Sequence, residues 1–79
     1  MRIQITNIKR NVSSDNLRKL FEEFGEIKSC DLVMDQETGE SKGFGFVVFV
    51  DPRNTKVAVK KLNGYILNNQ KIKVKSKKY

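Results

Sequence analysis

Histidine is absent from this chain of 79 residues, and Cys30 is its only cysteine. One thiol allows no internal disulfide, and the lack of histidine fits a protein without a zinc site. Cys30 lies inside the apolar run IKSCDLV, where a buried, inert thiol is expected. No apolar run is long enough to cross a bilayer, and the start, MRIQITN, lacks the apolar stretch of a signal peptide. These absences lead to the expectation of an intracellular protein. Pro52 is the single proline and glycines number five, which argues against a linker or a low-complexity chain. No paired carboxylates stand beside a nucleophile, and KGFG lacks the spacing and the Lys-Ser/Thr ending of a nucleotide P-loop. No catalytic residue, metal ligand or cofactor is therefore expected.

Acid is also missing from one end of the chain. Up to Asp51 there are seven Lys+Arg against nine Asp+Glu, but from Pro52 onward there are nine Lys+Arg and no acid, for a net charge of +7 overall. Such asymmetry suggests a polyanionic partner, the plainer alternative being a solvated basic surface. The length suits one domain, expected over 1–79 with a core of about 2–75 and a basic tail at 76–79. A domain this small buries roughly 60% of the surface its unfolded chain exposes, so it has one core, covered from one side.

Periodicity divides what is present into six elements. IQITNI (Ile3 to Ile8) alternates and is β-branched, as a strand should be. VSSDNLRKLFEEFG predicts a helix, with Ser13 as N-cap, Asp15 in the first turn and Gly25 at its end. Leu17, Leu20, Phe21 and Phe24 form its apolar stripe. IKSCDLVMD predicts a second strand with Ile27, Cys30 and Leu32 inward; the step from 27 to 30 breaks alternation, so an irregularity is expected near Lys28 and Ser29. After the polar loop DQETGESK, SKGFGFVVF predicts a third strand. Asp51 should cap a second helix with Pro52 at its first position and Thr55, Ala58, Val59 and Leu62 inward, closed by Asn63 and Gly64. KIKVKSK alternates strictly, with Ile72 and Val74 inward and Lys71, Lys73 and Lys75 outward.

This βαββαβ order is that of a ferredoxin-like α+β sandwich: a four-stranded antiparallel sheet with two helices on one face. The third strand then poses a problem, because both its faces are apolar. Gly45, Val47 and Phe49 can meet the helices together with Ile3, Ile5, Ile72 and Val74. Phe44, Phe46 and Val48 are left in water, and an exposed aromatic pair at the centre of a sheet marks a binding surface.

KGFGFVVF (Lys42 to Phe49) satisfies every fixed place of the octamer signature of the RNA recognition motif, and the chain resembles that family over essentially its whole length. ITNI within IQITNI resembles the family's second signature; LRKLFEEFGEI, MDQETGESKGFGFVVF and LNG agree as well. The resemblance implies strand order 4-1-3-2 and a non-catalytic module that reads unpaired bases on its open sheet. By position in the octamer it implies that Phe46 stacks a base, that Phe44 packs against sugars and that Lys42 meets a phosphate. Lys73 and Lys75 share that face and are candidates for phosphate contact, whereas Lys71, nearest the turn, is equally suited to guarding a sheet edge. Gly43 and Gly45 would let the backbone and neighbouring groups approach closely, the plainer alternative for Gly45 being room for a helix side chain. Asp31 and Val33 should share the open face at the opposite edge, and Tyr79 could stack a further base.

Two departures stand out. Gln4 occupies the place where the family usually carries a second stacking aromatic; an amide can hydrogen-bond a base edge but stacks poorly. LNNQKIKV has Asn69 and Gln70 where the family often has glycine and a basic residue. The implied partner is single-stranded RNA, with single-stranded DNA as the alternative, bound by a monomer without a membrane role. Gln4 supports the competing reading, a noncanonical member of the family that grips another protein.

Overall fold

A computed structural model describes residues 2–77. Strand β1 (Arg2–Thr6) stops two residues before the end of its apolar run because Asn7 takes a left-handed conformation, φ +61°. Ile8 is buried beyond it and its N–H donates to the Gly43 carbonyl at 2.9 Å, so the first strand remains fastened to the third. Helix α1 (Ser14–Glu22) starts as expected: the Ser13 hydroxyl accepts from the Asn16 N–H and the Asn16 side chain accepts from the Ser13 N–H, each at 3.1 Å. This reciprocal pairing satisfies two of the orphan donors that every helix start exposes. Its stripe turns inward, with Leu17 and Phe21 fully buried and Leu20 and Phe24 packed at the margin.

Strand β2 (Ile27–Met34) carries the irregularity between Ile27 and Ser29, and a second, unforeseen shift between Leu32 and Met34. Strand β3 is Ser41–Phe49. Helix α2 spans Arg53–Leu62, one residue later than expected: Pro52 takes the cap position and Asp51 lies before it. Asp51 still does capping work, since its carboxylate accepts the Arg53 N–H at 2.9 Å. The Arg53 side chain, hydrogen-bonded to the same carboxylate, holds the Asp51 carboxyl below the usual carboxylate range.

The tail end differs most from the expected single strand. Ile66–Leu67 (β4) and Gln70–Lys71 (β5) form a small separate hairpin, and only Lys73–Lys77 (β6) joins the main sheet. The turn is built by Asn68 and Asn69, both left-handed at φ +51° and +66°. Two successive positive φ values make the turn type whose twist suits a two-residue hairpin, and asparagine tolerates it. Lys71 therefore pairs with Ile66 in this hairpin rather than extending the last strand. Pairing of β6 continues to Arg2↔Lys77, so Ser76 and Lys77 belong to the sheet rather than to a tail. Tyr79 lies outside the described residues.

The main sheet has the order β2-β3-β1-β6, antiparallel throughout, which is the expected ferredoxin-like arrangement. Ile3, Ile5, Val47, Phe49, Ile72 and Val74 meet Leu17, Phe21, Ala58 and Leu62 in one buried cluster. The Phe21 and Phe49 rings pack across it with centroids 6.4 Å apart. Burying one such side chain is worth about 1.5–3 kcal/mol, and this cluster, lying on one face, is what holds the helices down. Cys30 is half-buried at its edge, with the thiol 3.8 Å from the Ser14 carbonyl, and desolvation pushes the thiol pKa up. A raised pKa means less thiolate, in keeping with an unreactive cysteine.

Candidate nucleic-acid interface

Alternation sends the residues between the buried ones to the uncovered face. On β1, Gln4 lies between the fully buried Ile3 and Ile5; on β3, Phe44, Phe46 and Val48 interleave with the buried Gly45, Val47 and Phe49. Strand register then brings distant residues into rows. Phe46 stands opposite Gln4 on one side and Asp31 on the other, and Gln4 stands opposite Lys75. The central row across the sheet reads Asp31, Phe46, Gln4, Lys75. Lys73 is one step along, opposite Thr6.

The two aromatic rings are neighbours. Phe44 and Phe46 have centroids 6.4 Å apart at 85°, an edge-to-face pair, with both residues part-exposed. Lys73, Lys75 and Lys77 are all exposed. The face is thus an apolar centre with a cationic edge at β6 and a carboxylate, Asp31, near the other edge.

Lys42 is set apart from this centre. It is exposed at the start of β3, where it borders a shallow recess with Asp35 and Glu37. Gly43, next to it, has φ +90°, and a Cβ there would lie 3.1 Å from the Ile8 carbonyl. For Gly45, close approach of backbone is what the structure shows. A Cβ on Gly45 would lie 2.5 Å from the Asp31 carbonyl oxygen and 3.2 Å from Leu32 Cα, so it makes room for the backbone of β2 and not for a helix side chain.

The departures in LNNQ also find a use. The Asn7 side chain donates to the Lys71 carbonyl at 2.7 Å, and the Gln70 side chain donates to the Asn7 carbonyl at 2.9 Å. Together they tie the β4–β5 hairpin to the end of β1. Nothing within either short run of sequence signals this pairing.

Sequence reasoning missed one residue of the face altogether. The guanidinium carbon of Arg2 lies 4.4 Å from the centroid of the Phe46 ring. Arg2 shares the alternation of Gln4, so β1 delivers it to the open side. The signal was its place two residues before Gln4. Among the described residues no cluster of acids and thiols could hold a metal ion, and no helix is long and apolar enough to cross a membrane.

The chain is similar to proteins already known. The human protein named probable RNA-binding protein 23 is 38% identical over 74 residues, covering 94% of this chain. This chain spans only 17% of that relative's length. The crystal structure of RNA Binding Protein PG1 matches with a TM-score of 0.89 at 32% identity, covering 95% of this chain and 90% of that one. The Rna15 RRM with bound RNA (GU) matches with a TM-score of 0.90 at 26% identity, covering 99% and 83% respectively. The RNA recognition motif family itself matches residues 3–73, nearly the whole described fold, and with the two phenylalanines on the bare side of a β2-β3-β1-β6 sheet the chain belongs to that family.

Proposed function

We propose that this domain is a non-catalytic, monomeric module that binds single-stranded RNA on its open sheet. The observation that carries this reading is the part-exposed Phe44–Phe46 pair on the face the helices leave bare, in register with Gln4 and Lys75. Phe46 stacks a base, and Phe44 packs against the adjoining sugars. Every base has a π face, so such a platform works for any sequence, at about 1–3 kcal/mol per stacked base. Gln4, beside Phe46, offers hydrogen bonds to a base edge. Lys42, Lys73 and Lys75 hold phosphates. RNA is preferred over DNA where a 2′-hydroxyl is contacted. Relatives named for RNA binding, one of them solved with RNA, support the same reading.

Amide shift mapping with matched single-stranded RNA and DNA oligonucleotides tests it. Amides of β1 and β3 around Gln4 and Phe46 should move, more strongly with RNA. If neither nucleic acid moves them, the domain does not use this face for nucleic acid, and the protein-binding reading that Gln4 supports takes its place.

Salt dependence tests the lysines. Lys42, Lys73 and Lys75 together should contribute about −2 to the slope of log affinity against log salt, from roughly −0.7 per phosphate on single strands. Replacing each one with alanine should make the slope shallower by about that unit. An unchanged slope after Lys73→Ala would leave that residue guarding the sheet edge. Lys42, with Asp35 and Glu37 beside it, should show the smallest change of the three.

Gln4→Tyr tests the vacant platform. The new ring would stand beside Phe46 without touching the core, because Ile3 and Ile5 alone point inward. Binding should tighten by about 1 kcal/mol, the low end for one stacked base, and preference at that nucleotide should relax. Titration with four oligonucleotides differing only there measures both. Weaker binding to all four would make Gln4 a specific base reader and not a vacancy.

A further inference from the structure

One face of the Phe46 ring already has an occupant. Arg2 stacks its guanidinium on the ring, with 4.4 Å from the guanidinium carbon to the centroid. At that distance no base can share the same face of the ring. Arg2 is exposed, and no carboxylate of a described residue pairs with it; the described ion pairs are Arg10–Glu40, Arg18–Glu22 and Arg53–Asp51. Directly across the strand pair stands Lys77, with Lys75 opposite Gln4 one step along. Like charges directly opposite one another repel. Among the described residues this corner of the sheet is therefore a cluster of cations without an anion, and the ring is the only stabilising partner Arg2 has there.

We propose that Arg2 is a displaceable cover on Phe46: it holds the ring face in the free domain, and when a base stacks there it swings to the phosphate that Lys75 and Lys77 already favour. The proposal rests on the open sheet being a single-stranded RNA surface. An exposed cation–π contact is worth about two- to fivefold in an equilibrium constant, whereas a stacked base is worth about fivefold to 150-fold. The base therefore wins, and the displaced guanidinium recovers its loss at the phosphate. Arg2 thus acts twice and with opposite signs. It taxes binding by covering the ring and favours binding by neutralising charge. Only the second effect depends on salt at single-strand strength.

The test is a titration of the parent chain and Arg2→Ala with one single-stranded oligouridylate over a series of salt concentrations. Arg2→Ala should give a slope of log affinity against log salt that is shallower by about 0.7. At low salt it should bind more weakly than the parent. At high salt, with the phosphate contact screened, it should bind about two- to fivefold more tightly, because the ring is uncovered. The two lines should cross. In a Phe46→Ala background the high-salt gain should vanish while the change in slope persists. Lines that converge without crossing would show a plain phosphate contact and overturn the cover. Parallel lines with the alanine variant always tighter would show a cover that goes nowhere and overturn the swing. An independent readout is the ring proton resonances of Phe46 in the free domain, which should shift in Arg2→Ala; unmoved resonances would also overturn the cover. If the parent itself fails to bind the oligonucleotide at any salt, it is the RNA reading of the sheet that has failed, whatever the ring resonances show.

Discussion

Phe46→Ala should weaken binding to single-stranded RNA by about 1–3 kcal/mol and lower the stability of the free domain by no more than about 1–2 kcal/mol, the size of two surface ring contacts. The two effects separate because of where the ring sits. Phe46 is part-exposed on a face that no helix covers, so its truncation opens no cavity and leaves no buried group unpaired. What the free domain loses is the edge contact with Phe44 and the stacked guanidinium of Arg2, both at the surface. Phe21 provides the contrast. It is fully buried against Phe49, and Phe21→Ala should cost about 3–5 kcal/mol of stability. Denaturant unfolding of both variants, beside a binding titration of Phe46→Ala, makes the comparison. A loss of stability for Phe46→Ala as large as that for Phe21→Ala would mean that the ring belongs to a core, and that the assignment of the open face is wrong.

A second large effect is expected at Gly45, where stability and binding should fall together. The Cβ introduced by Gly45→Ala would approach the Asp31 carbonyl to 2.5 Å and Leu32 Cα to 3.2 Å. Both are backbone atoms, so no rotamer change relieves the contact, and β2 must move away from β3. Forced overpacking of this kind costs typically about 1–3 kcal/mol. Gly45 also lies between Phe44 and Phe46, so the displaced strand carries both rings with it. Binding should weaken even under conditions where the variant is fully folded. Unfolding curves, with affinity measured well below the midpoint, separate the two losses. A variant as stable as the parent would show that the strands have slack at this point and that Gly45 is not required by their spacing.

Much of the fold could be read along the chain because its signals are local. A period of two residues marks the strands, and an apolar residue every three or four marks the helices. Ser13 and Asn16 close a cap within one turn. Asp51 and Pro52 announce α2 to within a residue. Even the kink in β2 showed as a break in alternation between Ile27 and Cys30. The open face followed by counting: two helices cover one side of a sheet, and β3 is apolar on both. The octamer then assigned parts to Lys42, Phe44 and Phe46, while Gln4 stood out by departing from the family.

Other features depend on residues that the chain order keeps apart, and these appeared only in three dimensions. The hairpin at Ile66–Lys71 is anchored by Asn7, which lies 64 residues from Lys71. Read alone, Lys71 was simply the first of an alternating run. The crowding at Gly45 comes from the backbone of a neighbouring strand, whose position depends on a register that β2 shifts twice. The cation cluster of Arg2, Lys75 and Lys77 joins the two ends of the described chain because β1 pairs with β6. Local periodicity decides which way a side chain points, because it follows from the backbone dihedrals of its own segment. Which side chain it meets is decided by strand register, and register is settled only when the whole hydrophobic face is buried at once.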